Sequence, residues 1–490
     1  MTSKKRFDKS KKKRLQVLSK KKKPLEIIIG LVLPFLIYFF AWFYLRPPLL
    51  DVDGFHYVWF WNNLAGGVKI GLQGTVPKPL LVVLYGILAN TGKVAIDALK
   101  ILSFLFTGLG IFYLSSLFIE TSFLSILAEI VGIIMPLTFV NALVGNGSFF
   151  VIPFILWGLY FYFRDSFLFS AIILFFGGLV RPEVWGIALI LNAIYIIRNK
   201  RVSFALLVAL LSLPVWTLFD FLISGDPFYS FKVVKYYRLV TGLKPLSLNG
   251  VILKWSESLS HFGGFIFVLV FLVALIYTLV QKENRMALIV LLVELTMIGQ
   301  LTLSSVQGGV FIDRFGLPVM LLGLVLIFFT IEKLIGNKAF GMLFGLTMSL
   351  VFFLGGREII ETYKSSFETD NLINGEFTNI SEDLDQIILK SRKAVLPMRR
   401  IGYLSYCLKK PLDQNRIITE REFVSRDPDF SKVDFITYVP RDFVGKSGYY
   451  FSILQRSDTI RAGRFLLVKE LQSRLGEVRV FKVLPLLREY

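Results

Sequence analysis

The chain has 490 residues, of which 54% are hydrophobic and only 18% are charged, and its formal net charge is +20. A soluble domain of ordinary composition has about a quarter charged residues, so this composition excludes one. Long apolar runs recur between positions 25 and 356, as membrane-spanning helices require. The sequence therefore predicts a mainly α-helical, polytopic membrane protein.

Much of the positive charge lies at the start of the chain. Residues 1–23 contain twelve lysines and arginines and one acid, so they carry eleven of the twenty net positive charges. This pattern is typical of a cytoplasmic tail that is drawn to anionic lipid headgroups, so we do not expect nucleic acid as a partner. The apolar stretch that follows has no small-residue cleavage site and ends in Arg46, which favours an uncleaved first span. The single cysteine, Cys407, excludes a disulfide within the chain and a cysteine-ligated metal site.

Hydropathy predicts about eleven membrane spans. They are expected at residues 25–45, 94–118, 122–142, 148–163, 166–181, 184–198, 203–223, 261–281, 286–305, 315–333 and 339–356. Segment 77–90 would reach only about 21 Å as a helix, short of the roughly 30 Å hydrocarbon core. We interpret it as a juxtamembrane helix, because the basic linkers later in the chain then fall on the same side as the N-terminal tail.

This topology divides the chain into three parts. Residues 1–24 form the cytoplasmic tail, residues 25–356 form the membrane domain with a first outer loop at 46–93, and residues 357–490 form a small extracytoplasmic α/β domain. Residues 224–260 are expected to form a further outer loop. In the last part the sequence pattern predicts a helix near 380–392 and strands at 399–404, 435–439, 449–454, 464–469 and 477–482.

Two acids follow the first span, in the sequence LLDVDGFHYVW at 49–59. Carboxylates next to a bilayer are costly unless water or a function accounts for them. In an extended segment Asp51 and Asp53 would face the same way and could hold a proton, a metal or a sugar hydroxyl. The alternative is a solvated interfacial turn in which these acids meet water and Arg46.

Several cations are predicted on the same side of the membrane. Lys78 precedes a proline at the start of the juxtamembrane helix, and Arg181 and Arg314 lie at the ends of later spans. Lysine and arginine at such depths either anchor the helix in the headgroup region or bind an anion. Arg181 has the further alternative of pairing with Glu183. The loop at 225–230 adds another acid, Asp226.

Together these residues indicate a chemistry that none of them indicates alone. A carboxylate can take the proton of an acceptor hydroxyl, and cations can stabilise the charge that develops on a phosphate leaving group. His56 and His261 are the only histidines, so they make a poor case for a metal site. The few outer acids also favour a site that works without a metal, although a divalent metal stays open as an alternative.

These features resemble the GT-C class of integral-membrane glycosyltransferases, which use polyprenyl-phosphate sugars and include protein O-mannosyltransferases and aminoarabinose transferases. The resemblance rests on the basic N-terminus, the acids of the first outer loop, Lys78-Pro79, the RPE sequence at 181–183, and Arg314-Phe315, where the family pattern has a tyrosine.

The resemblance implies a transferase in the cytoplasmic membrane that acts in the cell envelope on its extracytoplasmic face. It implies a lipid-linked sugar donor and a glycan, lipid or protein acceptor. Asp51 or Asp53 would be the catalytic base, and the implied substrate-binding residues are Tyr57, His56, Lys78, Arg181, Glu183, Asp226 and Arg314.

Two other functions compete with this interpretation. A transporter or flippase of lipid-linked sugars would also have many spans, but it is expected to show inverted repeats and charges near the span centres. We find no internal repeat, and the charges lie at span ends. A non-catalytic scaffold with an outer domain would leave the shared location of Asp51, Lys78, Arg181 and Arg314 unexplained.

Overall fold

The computed structural model describes residues 24–71, 75–241, 245–281, 284–307, 313–412, 415–425, 430–439, 442, 451, 461–462, 465–472 and 477–484. Most of these residues are helical, as the sequence predicts. The first nine helices are α1 Pro24–Leu45, α2 Val52–Ala65, α3 Pro79–Thr91, α4 Lys93–Ser115, α5 Ser122–Ile134, α6 Pro136–Leu143, α7 Gly147–Phe163, α8 Phe167–Gly178 and α9 Glu183–Asn199.

The remaining helices complete the bundle and enter the C-terminal part. They are α10 Phe204–Leu207, α11 Ser212–Ser224, α12 Tyr229–Thr241, α13 Leu248–Val280, α14 Arg285–Val306, α15 Leu317–Leu334, α16 Lys338–Lys390, α17 Met398–Leu408 and α18 Glu420–Ser425. Short 3₁₀ helices cover Val208–Leu211, Asp313–Gly316 and Phe430–Lys432.

Six strands form one mixed sheet in the described C-terminal residues. They are β1 Ala394–Leu396, β2 Ile417–Thr419, β3 Phe435–Tyr438, β4 Arg461–Ala462, β5 Phe465–Gln472 and β6 Glu477–Val483, in the order β2-β1-β3-β6-β5-β4. The pairs of β1 with β2 and β3 are parallel and the other pairs are antiparallel. The β5–β6 hairpin confirms two of the predicted strands, and β3 confirms a third.

Several helices are long and apolar enough to cross a bilayer, which makes the chain a multi-pass membrane protein. Six described helices pass this test, or seven if α5 and α6, which meet at a 60° bend, form one span. The predicted spans at 148–163 and 166–181 correspond to α7 and α8, which are apolar but shorter. The count of eleven stays a prediction.

Helix α15 is the centre of the bundle. Almost all of its side chains are buried, because it is apolar around its whole circumference rather than along one stripe. Helix α16 extends without a break for 53 residues, so the predicted domain boundary at residue 357 lies inside it. The division into a membrane part and an outer part stays a prediction.

Two local predictions are wrong. Residues 399–404 lie within α17 rather than in a strand, because this segment places its apolar residues at helical spacing and buries them against α2 and α16. Residues 224–260 are largely helical in α12 and the start of α13, rather than a loop. The predicted strand at 449–454 lies outside the described residues except at position 451.

The segment after α1 and the start of α3 meet the ends of later helices at one end of the bundle. The backbone N–H of Asp51 donates to Val144 O (3.1 Å), and that of Leu80 donates to Leu179 O (3.3 Å). Residues 69–71 bind residues 222–229 through Lys69, Ile70 and the Tyr229 hydroxyl. The first loop is therefore in contact with the ends of α6, α8 and α11.

A glycine contact positions the first half of α13 over the 3₁₀ helix Asp313–Gly316. The helical dihedral angles of α13 are interrupted at Gly263 and Gly264, where Gly264 has a φ of +76°. A Cβ at Gly355 of α16 would lie 2.8 Å from Gly264 Cα, so only glycine allows the two backbones to approach this closely.

Candidate functional site

Asp51 is the N-cap of helix α2 and is itself extended, but Asp53 already lies in the helix, so the two acids do not share one extended segment. Asp51 Oδ1 accepts a hydrogen bond from Gly54 N (2.7 Å), the arrangement for which aspartate is favoured at helix starts. Its Oδ2 accepts from Asn146 Nδ2 (2.5 Å). Burial, together with the nearby Asp53 carboxylate, raises the pKa of Asp51 to about 6.

Asp53 lies in the first turn of α2 and pairs with Arg314. Its Oδ2 is 2.8 Å from Arg314 Nη2, and the same guanidinium lies 3.8 Å from Asp51 Oδ2 through Nη1. Thr75 adds a long hydrogen bond to Asp53 Oδ1 (3.4 Å). Burial alone would raise the pKa of Asp53, but the positive charge of Arg314, together with Lys78, lowers it. The two acids therefore have opposite pKa shifts, although they share one cation.

A network of hydrogen bonds leads from Asp51 to the RPE sequence. Asn146 Oδ1 accepts from Ser148 N (2.8 Å) at the start of α7, and Ser148 Oγ accepts from Arg181 Nη1 (2.8 Å). The Nε and Nη2 atoms of Arg181 both donate to Glu183, at 3.1 and 2.5 Å. The Arg181 guanidinium also lies 4.5 Å from the centre of the Phe315 ring. The predicted alternative, a pair between Arg181 and Glu183, is present.

Phe315 and Arg314 are neighbours in the 3₁₀ helix, so this short element contacts both ends of the network. Arg314 reaches the acids of α2, and Phe315 lies against Arg181. Phe315 supplies a ring face for the Arg181 guanidinium, a role that needs no hydroxyl. The contacts form a closed ring that runs through Asp51, Asn146, Ser148, Arg181 and the 314–315 pair.

Lys78 is the N-cap of α3 and lies inside this ring. A Cβ at Gly147 would lie 2.4 Å from Lys78 Nζ, so the glycine makes room for the ammonium group at the start of α7. No hydrogen bond or ion pair joins Lys78 Nζ to any residue that the structure describes. Burial and the nearby Arg181 lower the pKa of Lys78 to about 8, even though Asp53 opposes this shift.

Tyr57 and His56 occupy different surroundings. Tyr57 is 1% exposed, stacks on Tyr85 with ring centres 6.2 Å apart, and has Lys78 Nζ at 5.6 Å from its ring centre. His56 is fully buried, donates from Nδ1 to Val52 O (2.7 Å), and lies beside Gly402 of α17. Burial lowers its pKa. Tyr57 therefore belongs to the cluster around Lys78, whereas His56 lies at the contact with α17.

Asp226 is not brought into this cluster. Its carboxylate accepts from Phe228 N (3.0 Å) and pairs with Lys232 at an exposed position. Within the described ranges, no contact joins it to Asp51, Asp53 or the three predicted cations. We therefore find no geometric support for Asp226 as a substrate-binding residue of the same centre.

The sequence did not indicate every polar residue of the cluster. Asn146 and Ser148 are not among the predicted site residues; the one local signal is an asparagine followed by glycine between two apolar runs, which is compatible with a helix N-cap. The 3₁₀ helix also holds a second group, in which Asp313 binds Ser258 Oγ (2.6 Å) and His261 Nδ1 (2.5 Å). Among the described residues no three His, Cys, Asp or Glu side chains are grouped as a metal site.

Taken together, these observations define a multi-pass helical membrane protein in which a cluster of charged side chains lies where several helix ends meet. The structure resembles that of ArnT from Cupriavidus metallidurans bound to undecaprenyl phosphate, with a TM-score of 0.57 over 93% of this chain and 98% of that chain. ArnT is an aminoarabinose transferase. At 11% sequence identity the likeness shows a shared fold.

The same enzyme in its apo state aligns with a TM-score of 0.49, again at 11% identity, over 92% of this chain and 97% of that chain. No protein-family model and no curated protein matches the sequence. The fold shared with the undecaprenyl-phosphate-bound ArnT structure confirms, at the level of the fold, the resemblance noted from the sequence.

We expect the Arg314–Asp53 pair to stabilise the protein more than an exposed ion pair does. Both side chains are about three-quarters buried, at 25% and 24% exposure, and their opposite charges attract each other. A double-mutant cycle with Arg314→Gln and Asp53→Asn should give a coupling free energy of about 2 kcal/mol, measured by unfolding in detergent.

The exposed pair of Lys232 with Asp226 is the matched control, and its coupling free energy should be much smaller, because water screens exposed charges. Equal coupling energies for the two pairs would show that Arg314 does not hold α2 in place.

Proposed function

We propose that the protein transfers a sugar from a polyprenyl phosphate to an acceptor hydroxyl on the extracytoplasmic face of the membrane. The observation that carries this proposal is that a carboxylate and an ammonium group lie within the same closed ring of contacts. The ammonium group has no acidic partner among the residues that the structure describes. Asp51 supplies the carboxylate and Lys78 the ammonium. The shared fold with ArnT, crystallised with undecaprenyl phosphate, supports the same class of donor.

Asp51 is the better base of the two acids. Asp53 is held ionised by Arg314, and its lowered pKa makes it a weak proton acceptor. The pKa of Asp51 lies near 6, which suits a general base that must both accept a proton and be ionised near neutral pH. Asp51 would take the proton of the acceptor hydroxyl while the oxygen attacks the anomeric carbon.

Lys78 is the cation best placed to hold the leaving group. As the bond from the anomeric carbon to the phosphate oxygen breaks, negative charge develops on the polyprenyl phosphate. Arg181 already donates to Glu183 and Ser148, and Arg314 already pairs with the two acids. Lys78 therefore binds the phosphate directly, and the arginines shape the field around it. A direct displacement of this kind inverts the anomeric centre.

An apolar patch next to Arg181 suits the lipid part of the donor. It is formed by Val151, Ile155, Val184, Met297, Phe315 and Pro318, and Arg181 and Glu183 form its polar end. A polyprenyl chain is as apolar as these side chains, so it could enter laterally from the bilayer and leave its phosphate near the cations. The acceptor would then approach from the aqueous side.

The transporter alternative has less support. Glu129 and Glu294 are fully buried carboxyl groups in the bundle, but they lie on separate helices, α5 and α14, and each fits against glycines of its own neighbours. A transport path needs polar groups that line a common passage. The polar groups that meet in this structure lie instead at helix ends.

Replacement of the two acids should separate their roles. Asp51→Asn is expected to lower kcat by about 100-fold to 10,000-fold, because the base is lost. Asp53→Asn should lower kcat by about tenfold, because Arg314 would be misplaced. The measurement is sugar transfer by purified protein from a defined polyprenyl-phosphate sugar.

Asp165→Asn is the matched control, because Asp165 is exposed just beyond the far end of α7, and it should keep wild-type activity. Normal transfer by Asp51→Asn would refute the proposed base.

The pH dependence of kcat/KM should be bell-shaped. Asp51 must be ionised, so activity rises as the pH passes the pKa of about 6. Lys78 must be protonated, so activity falls as the pH passes its pKa of about 8. Lys78→Arg should remove the alkaline fall, because arginine stays charged. A wild-type profile that is flat between about pH 5 and about pH 9 would contradict both assignments.

A further inference from the structure

Asn146 is the residue of the cluster to which the proposed reaction gives no task. It lies between α6 and α7, is 1% exposed, and contacts the candidate base directly. Its backbone N–H donates to Asn141 O (3.0 Å), so the residue itself is held at the end of α6. Its side chain links two elements that are far apart in the sequence.

The orientation of the Asn146 amide is fixed by the helix that it caps. The Ser148 N–H can only donate, so the amide atom that faces it must be the carbonyl oxygen, Oδ1. The NH₂ group then necessarily faces Asp51 Oδ2. The cap therefore determines that Asp51 meets a hydrogen-bond donor.

Two fixed donors hold the Asp51 carboxylate in one orientation. Gly54 N donates to Oδ1 and Asn146 Nδ2 donates to Oδ2. The first donor belongs to α2 and the second to the start of α7, so the carboxylate cannot turn without breaking one of these hydrogen bonds. Hydrogen bonds to the ionised form also favour the carboxylate over the carboxylic acid.

We propose that Asn146 is the positioning residue for Asp51, which it keeps ionised and aimed at the acceptor hydroxyl. This inference rests on the proposed function, in which Asp51 is the base. Asn146 itself touches neither substrate nor reacting atom in this scheme. Its effect on the reaction passes through the orientation and the charge of Asp51.

Other charged and titratable groups face Asp51 from every element around it. Besides Asp53 and Arg314, they are Tyr57 on α2, Lys78 and Tyr85 at α3, Lys100 on α4 and Tyr363 on α16. None of them changes when Asn146 is replaced. A difference between Asn146 variants therefore reports on the amide.

Two substitutions separate this role from simple helix capping. Serine and aspartate are both good N-cap residues, so Asn146→Ser and Asn146→Asp keep the cap on α7. Serine is too short to keep the donor at Asp51, and aspartate replaces the donor with a second negative charge. Asn141→Ser is the matched control, because Asn141 is equally buried but donates to Leu137 O.

The test is the pH profile of kcat/KM for sugar transfer. Asn146→Asp should move the acidic limb upwards by about one pH unit or more, because a like charge raises the pKa of Asp51. Asn146→Ser should lower the plateau of kcat/KM by about tenfold. It should also move the acidic limb to higher pH, but by less than Asn146→Asp does. Asn141→Ser should leave the limb at its wild-type position.

The proposal would be overturned if both Asn146 variants showed the acidic limb and the plateau of kcat/KM that the wild-type protein shows. Should Asn146→Asp fail to fold, Asn146→Ser alone decides, since it adds no charge. The carboxyl infrared band of Asp51, identified by its loss in Asp51→Asn, gives the titration without turnover. The midpoint of this titration should move to higher pH in Asn146→Ser, and an unchanged midpoint would overturn the proposal. This readout does not require sugar transfer. A wild-type protein that transferred no sugar would refute only the proposed function.

Discussion

The ion pair between Arg314 and the two acids of α2 is the interaction on which the candidate site depends. It joins positions 261 residues apart in the chain. Without a cation between them, Asp51 and Asp53 would repel each other within a single turn of one helix, at a half-buried position. Arg314 is itself fixed, because the 3₁₀ helix that carries it continues directly into α15, the buried centre of the bundle.

Two of the three cations of the site are paired with an acid and one is not, and this difference gives the site its chemistry. Arg181 is matched by Glu183, and Arg314 by Asp53, with both pairs close to hydrogen-bond distance. Lys78 has no such partner among the residues that the structure describes, and it lies where Gly147 leaves room at the start of a helix. The positive end of that helix dipole adds to the ammonium charge, so the interior of the ring favours an anion.

Much of this arrangement could be predicted from local patterns. Apolar runs predict the helices, and the side of the membrane on which the basic linkers fall predicts that Asp51, Lys78, Arg181 and Arg314 lie together. The start of a helix at Asp51 does not follow from side-chain alternation, which suggests an extended segment. It follows from the preference of aspartate for the N-cap position. Pairing across the bundle also could not be predicted, since nothing local indicates that Asn146 would turn its amide towards Asp51.

The C-terminal part shows the same limit. The strands of the β5–β6 hairpin follow from alternating apolar residues, but α17 was predicted as a strand because a short apolar run fits either period. The contact of α17 with α2 decides the outcome, since Gly402 lets the two backbones approach. This packing buries His56 at the contact between α2 and α17.

An experimental structure of the protein with undecaprenyl phosphate bound would test the proposed phosphate site most directly. We expect a phosphate oxygen within about 3.2 Å of Lys78 Nζ, inside the ring that Asp51, Asn146, Ser148, Arg181 and Arg314 form. We also expect the Arg314–Asp53 pair to stay intact. A phosphate bound elsewhere, with Lys78 still lacking an anionic partner, would refute Lys78 as the phosphate-binding residue.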